Sequence, residues 1–340
     1  MTEPDPSQIM QLGMGFLASK TLLSAVELGL FTELARRPMT APEIGQALGL
    51  SPRAVPDFPD ALVALKVLER RGDGPEARYS NTAEGALFLD RNGPAYVGGL
   101  LEMANARLFR HWADLTEGLK TGLAQNEVKH TGTSIFETLY ASPELLEQFL
   151  NAMAGASFGN VRALAAKFDF SRYKTLCDVG GATALLACTV AAAHPHLACS
   201  SFDLPPVAPI AQKRIDKAGL ADRVAVASGD FFAGPLPKAD VITMGMILHD
   251  WNLEKKKLLI RKAYEALPKG GAFVVIEALI DDARRENAFG LLMSLNMLME
   301  TGEGFDYSGA DFAGWCREAG FRRFEVIPLA GPSSAAVAYK

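Results

Sequence analysis

The feature that most constrains this chain is a change of hydrophobic period near Arg172. From there onward short apolar runs alternate with helical stretches: TLCDVGG then TALLACTVAAAH, LACSSFDL then PVAPIAQKRIDKAG, VAVASGD, ADVITMG then EKKKLLIRKAYEALP, and GAFVVIEALI. Strand-length runs separated by helix-length segments argue for a parallel, doubly wound α/β sheet. The Pro268-Lys269-Gly270-Gly271 turn punctuates the last helix-to-strand passage. The closing runs EVIPL and AAVAYK lie close together and suit an antiparallel edge hairpin.

The preceding half reads as helix. From Gln8 to Leu34 apolar residues recur at helical spacing nearly all round, so this helix needs burial in more than one direction, and a partner subunit is one way to supply it. Thr40 and Glu43 form a capping box ahead of a short helix ended by Gly49. Ser51 is expected to cap a second helix running to about Leu68, and Arg71–Thr82 to form a hairpin turned at Gly72-Asp73-Gly74. Helix, turn, helix and wing is winged-helix order, which raises DNA binding. The second helix offers only Arg53 and Lys66, offset by Asp57 and Asp60. No basic stripe is available for phosphates, so the module reads as structural. Helical pattern continues from Thr82 to about Lys167, which sets an expected boundary between residues 1–167 and 168–340.

A chain of 340 residues has room for two such domains. The net charge of -5 gives no electrostatic reason to expect nucleic acid or an anionic membrane as partner. The acidic start MTEPDPSQ is unlike a signal peptide, and no apolar run is expected to approach the length of a membrane span. Cys177, Cys188, Cys199 and Cys316 show no CxxC spacing and no His-x-x-x-His pair occurs, so buried thiols in a cytoplasmic protein without metal are expected.

The chemistry-bearing residues gather at the ends of the expected strands. DVGGATA, carrying Asp178, Gly180 and Gly181, is a glycine-rich strand-to-helix turn, which lets backbone approach a ligand. Asp203 ends the second strand, placed to hold ribose hydroxyls, and Asp230 with Phe231 follows the third. Past the fourth strand, His249 and Asp250 face the same crevice, and imidazole accepts a proton near neutral pH. Glu277, a carboxylate in an apolar fifth strand, needs a partner and is placed to orient His249. Met293, Asn296, Met297 and Glu300 form a helical stripe suited either to core or to an adaptable pocket wall.

On these residues the whole chain resembles the family of dimeric, plant-type O-methyltransferases. DVGG, FDLP, GDFF, ILHDW and PKGG stand in that family's order and spacing, and GFDYSGADF and MSLNML place the chain near its bacterial branch. The resemblance implies a Rossmann-like class I methyltransferase domain preceded by a winged-helix dimerisation domain, in a homodimer. It implies S-adenosylmethionine as methyl donor, bound by Asp178, Gly180, Gly181, Asp203, Leu204, Asp230, Phe231, Met244 and Gly245. It further implies His249 as base; Glu277 and Asp306 are expected to join it as catalytic residues, and Tyr140, Met246, Asp250, Met293, Asn296 and Met297 are expected toward the acceptor. Two departures stand out. Ala182 and Ala184 replace glycines and are expected to crowd the donor, and Asp306 is the nearest acid where the family carries a glutamate.

A hydroxyl acceptor would need the His249 base. A thioether acid such as methylthiohydroxybutyrate, methylated to a sulfonium, would need none, and Arg107, Arg110 or His111 could then anchor the acid. A catalytically silent ligand-binding regulator is the third possibility.

Overall fold

The computed structural model describes residues 4–93, 95–132, 139–140 and 142–340. The chain forms two compact units, Met1–Arg110 and His111–Lys340.

In the first unit the single helix expected over Gln8–Leu34 is three: α1 (Ser7–Gly13), α2 (Gly15–Glu27) and α3 (Leu30–Arg36). The chain turns between α2 and α3 at Gly29, whose left-handed backbone cannot continue a helix. Helices α2 and α3 bury Val26, Leu30, Phe31 and Leu34 against Ile44, Leu62, Leu68 and Tyr79. Helix α1 buries nothing, and Ile9, Met10, Leu12, Met14, Phe16 and Leu17 are exposed. The stretch Ser7–Glu27 spans 21 residues and is apolar enough, by length and composition, to cross a membrane. That corrects the expectation that no run approaches such a length; Gly13, Gly15, Ser19, Lys20 and Ser24 interrupt the apolar run and mask its length in the sequence.

The capping box of α4 (Ala41–Leu48) forms as expected, with the Thr40 N–H donating to the Glu43 carboxylate at 2.7 Å and the Glu43 N–H to Thr40 Oγ1 at 3.4 Å. The next helix is shorter than expected. It is α5 (Asp57–Ala64), entered from Pro56 without a side-chain cap, and not a Ser51-capped helix to Leu68. Pro52 and Pro56 have no N–H to give, and Leu68 belongs to a strand instead. Strands β1 (Met39–Thr40), β2 (Leu68–Arg71) and β3 (Arg78–Asn81) form an antiparallel wing in the order β1-β3-β2.

The second unit carries the expected sheet. Its strands are β4 (Thr175–Val179), β5 (Ala198–Asp203), β6 (Val224–Ser228), β7 (Val241–Gly245), β8 (Ala272–Glu277), β9 (Arg323–Pro328) and β10 (Ser334–Tyr339). Their order is β6-β5-β4-β7-β8-β10-β9, parallel except where β10 pairs antiparallel with β8 and β9. The 25-residue helix α6 (Pro143–Lys167), read with the N-terminal half in the sequence, packs in this unit on α7 (Leu185–Ala193). Both faces of the sheet are buried. Leu176, Val274 and Ile276 enter one core, while Cys177, Val179, Phe273 and Val275 enter the other. Double-sided burial is why these strands read as unbroken apolar runs. Helices α8 (Ala208–Ala218), α9 (Leu253–Ala266), α10 (Ala288–Thr301) and α11 (Gly309–Ala319) also belong to this unit. All four cysteines are buried with free thiols.

Candidate active site

The parallel strands β4 to β8 end along one edge, and the polar groups gather there. Past β4, Gly180 adopts φ +71°, and a Cβ on it would lie 2.3 Å from Ile247 Cδ1; one on Gly181 would lie 2.2 Å from Ser201 Oγ. A side chain in either place would force Ile247 or Ser201 to shift. Ala182 and Ala184 are also left-handed, at φ +48° and +59°, despite carrying a Cβ. The Ala184 methyl is fully buried in the core with Leu186 and Val190, so the crowding of a donor expected from it does not arise. Ala182 instead packs beside Tyr140, Leu146, Leu150, Val207 and Ile210.

Asp203, at the end of β5, accepts the Ala182 N–H at 2.9 Å on one oxygen and the Leu204 N–H at 2.7 Å on the other. Each oxygen keeps a lone pair for a further donor, and burial raises the pKa of this carboxyl. Asp178 is buried and accepts from Thr243 Oγ1 at 2.6 Å; burial pushes its pKa up to about 7. Asp230 is exposed past β6 and accepts the Phe232 N–H at 2.7 Å. Phe231 and Phe232 sit edge-on to Trp251, with centroids 6.2 and 4.8 Å away. Lys262, which sequence reasoning missed, ties that loop through the carbonyls of Phe231, Phe232 and Gly234 at 2.6–2.8 Å. Met244 is fully buried in the sheet core, whereas Gly245, at the end of β7, is partly exposed.

After β7, Met246 takes a left-handed φ of +53° and its N–H bonds the Ile276 carbonyl at 3.0 Å. The following turn, Leu248–Asp250, presents His249, which is only 6% exposed. His249 Nδ1 lies 3.4 Å from Asp306 Oδ1 and 3.6 Å from Glu277 Oε2, while Nε2 lies 3.5 Å from Asp250 Oδ1. These are ion-pair distances longer than a strong hydrogen bond. Asp306 thus reaches the imidazole beside Glu277, as the nearest acid where the sequence departs from the family glutamate. Gly304 makes the approach possible: a Cβ there would lie 2.5 Å from the His249 carbonyl oxygen and 2.7 Å from that of Asp250.

Burial alone would lower the pKa of His249, but Glu277, Asp250 and Asp306 outweigh it and raise it to about 10. Burial raises Glu277 to about 7 against the pull of His249, and Asp250 to about 6. His249, Glu277 and Asp306 converge within 4.8 Å, as a resident cation would also require. Lys256, fully buried and in electrostatic reach of the same carboxylates, already supplies a positive charge there and argues against a second one. Sequence reasoning missed this lysine.

Around the cluster, Met293 of α10 is half-buried, and Asn296 and Met297 are buried. Asn296 Oδ1 accepts from Trp112 Nε1 at 2.8 Å, so that oxygen is held by the protein itself. Tyr140 is half-buried, and its pKa is raised to about 12 by burial first and then by the charges of Asp203 and Asp250. The phenol therefore stands in range of both the ribose-type carboxylate and the His249 turn. Of the cations considered as acid anchors, Arg107 and Arg110 belong to the first unit, and His111 lies 3.9 Å from Glu127.

The arrangement sets a glycine-rich turn and a strand-end carboxylate on the same sheet edge as a buried imidazole flanked by acids. Residues 112–322 match the O-methyltransferase domain and residues 10–91 the O-methyltransferase dimerisation domain. The chain is 42% identical to the tetracenomycin polyketide synthesis 8-O-methyl transferase TcmO of Streptomyces glaucescens, over 98% of this chain and 97% of that one. It is 37% identical to the N,N-dimethyltransferase OxyT of Streptomyces rimosus, over 92% and 90% of the two chains. The crystal structure of human N-acetylserotonin methyltransferase in complex with S-adenosylmethionine superposes with a TM-score of 0.91 at 28% identity, covering 100% of this chain and 99% of that one. The glycine-rich turn after β4, with the Asp203 carboxylate held beside it by the Ala182 N–H, is compatible with that donor. The chain belongs to the O-methyltransferase family and is an S-adenosylmethionine-dependent methyltransferase.

Proposed function

We propose that this enzyme methylates a hydroxyl of a small, largely apolar acceptor, with His249 as general base. The observation that carries the reading is the orientation of the imidazole. Two carboxylates, Glu277 and Asp306, face Nδ1 against one, Asp250, at Nε2, which favours a proton on Nδ1 and supports Nε2 as the basic nitrogen. S-adenosylmethionine, when bound, supplies an electrophilic methyl group on a sulfonium sulfur. The cradle at Gly180 and Gly181, with Asp203, Leu204, Asp230, Phe231 and Gly245, would hold the donor. Met244 contributes through its backbone, because its side chain lies in the core. Tyr140, Met246, Asp250, Met293 and Met297 would line the acceptor, while Asn296 would shape that wall through Trp112.

In the transfer, the acceptor oxygen bonds the methyl carbon as the carbon–sulfur bond breaks and sulfur keeps the electron pair. His249 Nε2 takes the hydroxyl proton, and Glu277 and Asp306 stabilise the imidazolium. Much of the acceleration comes from alignment in a dry site, consistent with the burial of His249 and Glu277. Only neutral imidazole can accept that proton. Because the pKa of His249 is raised to about 10, the base form, and with it kcat/KM, should increase from neutral into alkaline pH.

The 8-O-methyl transfer in the name of TcmO supports a polyketide hydroxyl as the acceptor class. The name of OxyT supports nitrogen as a second acceptor in proteins of this architecture. The thioether-acid alternative finds no support in these relatives and is not carried forward. The dimerisation-domain match and the exposed apolar face of α1 support a homodimer, and we read the protein as a soluble, cytoplasmic enzyme with a small-molecule acceptor and no resident metal.

The test is transfer of labelled methyl from S-adenosylmethionine to a panel of phenolic polyketides and matched amines, by the wild type and by His249→Ala. A labelled ether formed by the wild type and lost by about 10²–10⁴-fold in the variant is expected. Undiminished ether formation by His249→Ala would remove the base assignment, and a labelled amine with no ether would move the reading to nitrogen.

A further inference from the structure

Lys256 lies in the run EKKKLL at the start of α9, where its neighbours Lys255 and Lys257 pair with Glu303 and Glu318. Lys256 alone of the three is completely buried. Its ammonium donates to the Trp251 carbonyl and sits 3.6 Å from the ring centroid of Phe305 and 5.7 Å from that of Tyr307. Those two aromatics flank Asp306 in sequence, so the ammonium rests against both neighbours of the acid that faces His249 Nδ1. A lysine is almost never fully buried unless its charge is answered. Here the answering groups are Glu277 at the end of β8, Asp306 and Glu303 between α10 and α11, and Asp250 in the turn before α9.

We propose that Lys256 is a positioning residue for the methyl transfer, holding the Phe305–Tyr307 segment so that Asp306 meets His249 and offsetting with its charge the surplus of carboxylates around the imidazole. The charge count gives the direction. Glu277, Asp306 and Asp250 surround His249, and they favour its charged form, which cannot act as base. A fixed positive charge nearby disfavours every further proton the cluster takes up, and so keeps neutral imidazole accessible at lower pH. Burial pushes the pKa of Lys256 itself down, to about 8, against the pull of Glu277, Asp306, Asp250 and Glu303, so the ammonium is charged at neutral pH. Tyr307 is also buried in this cluster, and its raised pKa keeps the phenol neutral.

The catalytic half of this proposal rests on His249 being the base, so the test includes a readout that needs no acceptor. The imidazole Cε1–H resonance of His249, assigned by its absence in His249→Ala, is titrated by NMR in the full chain with S-adenosylhomocysteine bound. Because wild-type Lys256 loses its charge before His249 titrates, Lys256→Arg, which keeps it, should lower the His249 midpoint by about one pH unit, whereas Lys256→Met and Lys256→Gln, two neutral side chains of similar reach, should leave it near the wild-type value. In methyl transfer the neutral variants should lose about tenfold in kcat/KM on the acid side of the profile and recover toward wild type at alkaline pH. An unchanged midpoint in folded, donor-binding Lys256→Arg overturns the proposal. So does a loss of activity that is uniform in pH and not rescued by arginine. A shifted midpoint with no shift in the activity profile upholds the charge role of Lys256 and removes His249 as base.

Discussion

Two alanines carry a cost that glycine would not. The left-handed region costs a residue with a Cβ about 1–2 kcal/mol, whereas glycine gives back about 0.5–1 kcal/mol through its freer unfolded chain. For Ala182, at φ +48°, the balance favours Ala182→Gly by about 0.5–1 kcal/mol, read as a raised midpoint in denaturant melts. Ala184 differs because its methyl is fully buried, and removing it forfeits about 0.8 kcal/mol. Ala184→Gly should therefore be nearly neutral. Equal gains at both sites would show that burial of the Ala184 methyl contributes nothing. Asp178 adds a pH-dependent strain of its own. Its folded pKa of about 7 stands above the ordinary value of 3.8, so the native state binds that proton more tightly than the unfolded chain. The resulting cost is absent below the unfolded value, grows as pH rises, and is complete above the folded value. Asp178→Asn, which keeps an acceptor for Thr243, should gain stability over wild type between about pH 4 and 7 and then level off, by at most about 4 kcal/mol. A stability difference that does not change with pH in donor-free protein would contradict this burial cost.

Among the elements, the loop from α10 to α11 decides whether the acids meet the imidazole. Gly304→Ala would place a methyl against the His249 and Asp250 carbonyls, and those are backbone atoms that cannot rotate away. The expected result is at least a tenfold loss in kcat with S-adenosylhomocysteine affinity unchanged, since the glycine cradle lies elsewhere in the unit. Weakened donor binding, measured by calorimetry, would show that the loop also shapes the crevice. The strands and their terminal residues were legible because double-sided burial makes them continuous apolar runs and because the ends of parallel strands share one edge. Asp203, His249 and Glu277 followed from that geometry alone. Lys256 was not legible: in KKK it reads as a solvated face, and its burial is set by Phe305 and Tyr307, distant in sequence. The Trp112–Asn296 bond, spanning 184 residues, left no local signal either. Ser51 reads as the cap of a helix to about Leu68, but prolines without N–H groups and the pairing of Leu68 in β2 shorten it.

At the scale of the whole molecule, assembly turns on what covers α1. Its Ile9 and Leu12 are 75% and 82% exposed, and Phe16 at the start of α2 is 52% exposed. An apolar face of this kind marks an interaction surface. Two occupants fit: a second copy, which the dimerisation-domain match over residues 10–91 supports, or a bilayer, which the length and composition of Ser7–Glu27 permit. A symmetric dimer uses each such residue twice, once from each subunit. Since fully burying a leucine or phenylalanine is worth about 1.5–3 kcal/mol, two carboxylates placed there should outweigh a typical interface. Leu12→Asp with Phe16→Asp should therefore convert a species of twice the 36.5 kDa chain mass into one of 36.5 kDa, measured by light scattering on a sizing column. Because α1 contributes no buried residue to its own unit and Phe16 is largely exposed, far-ultraviolet circular dichroism should not change. A doubled mass that survives both substitutions would place the dimer contact elsewhere. A wild type that is already monomeric and sediments with phospholipid vesicles would give the face to the membrane instead.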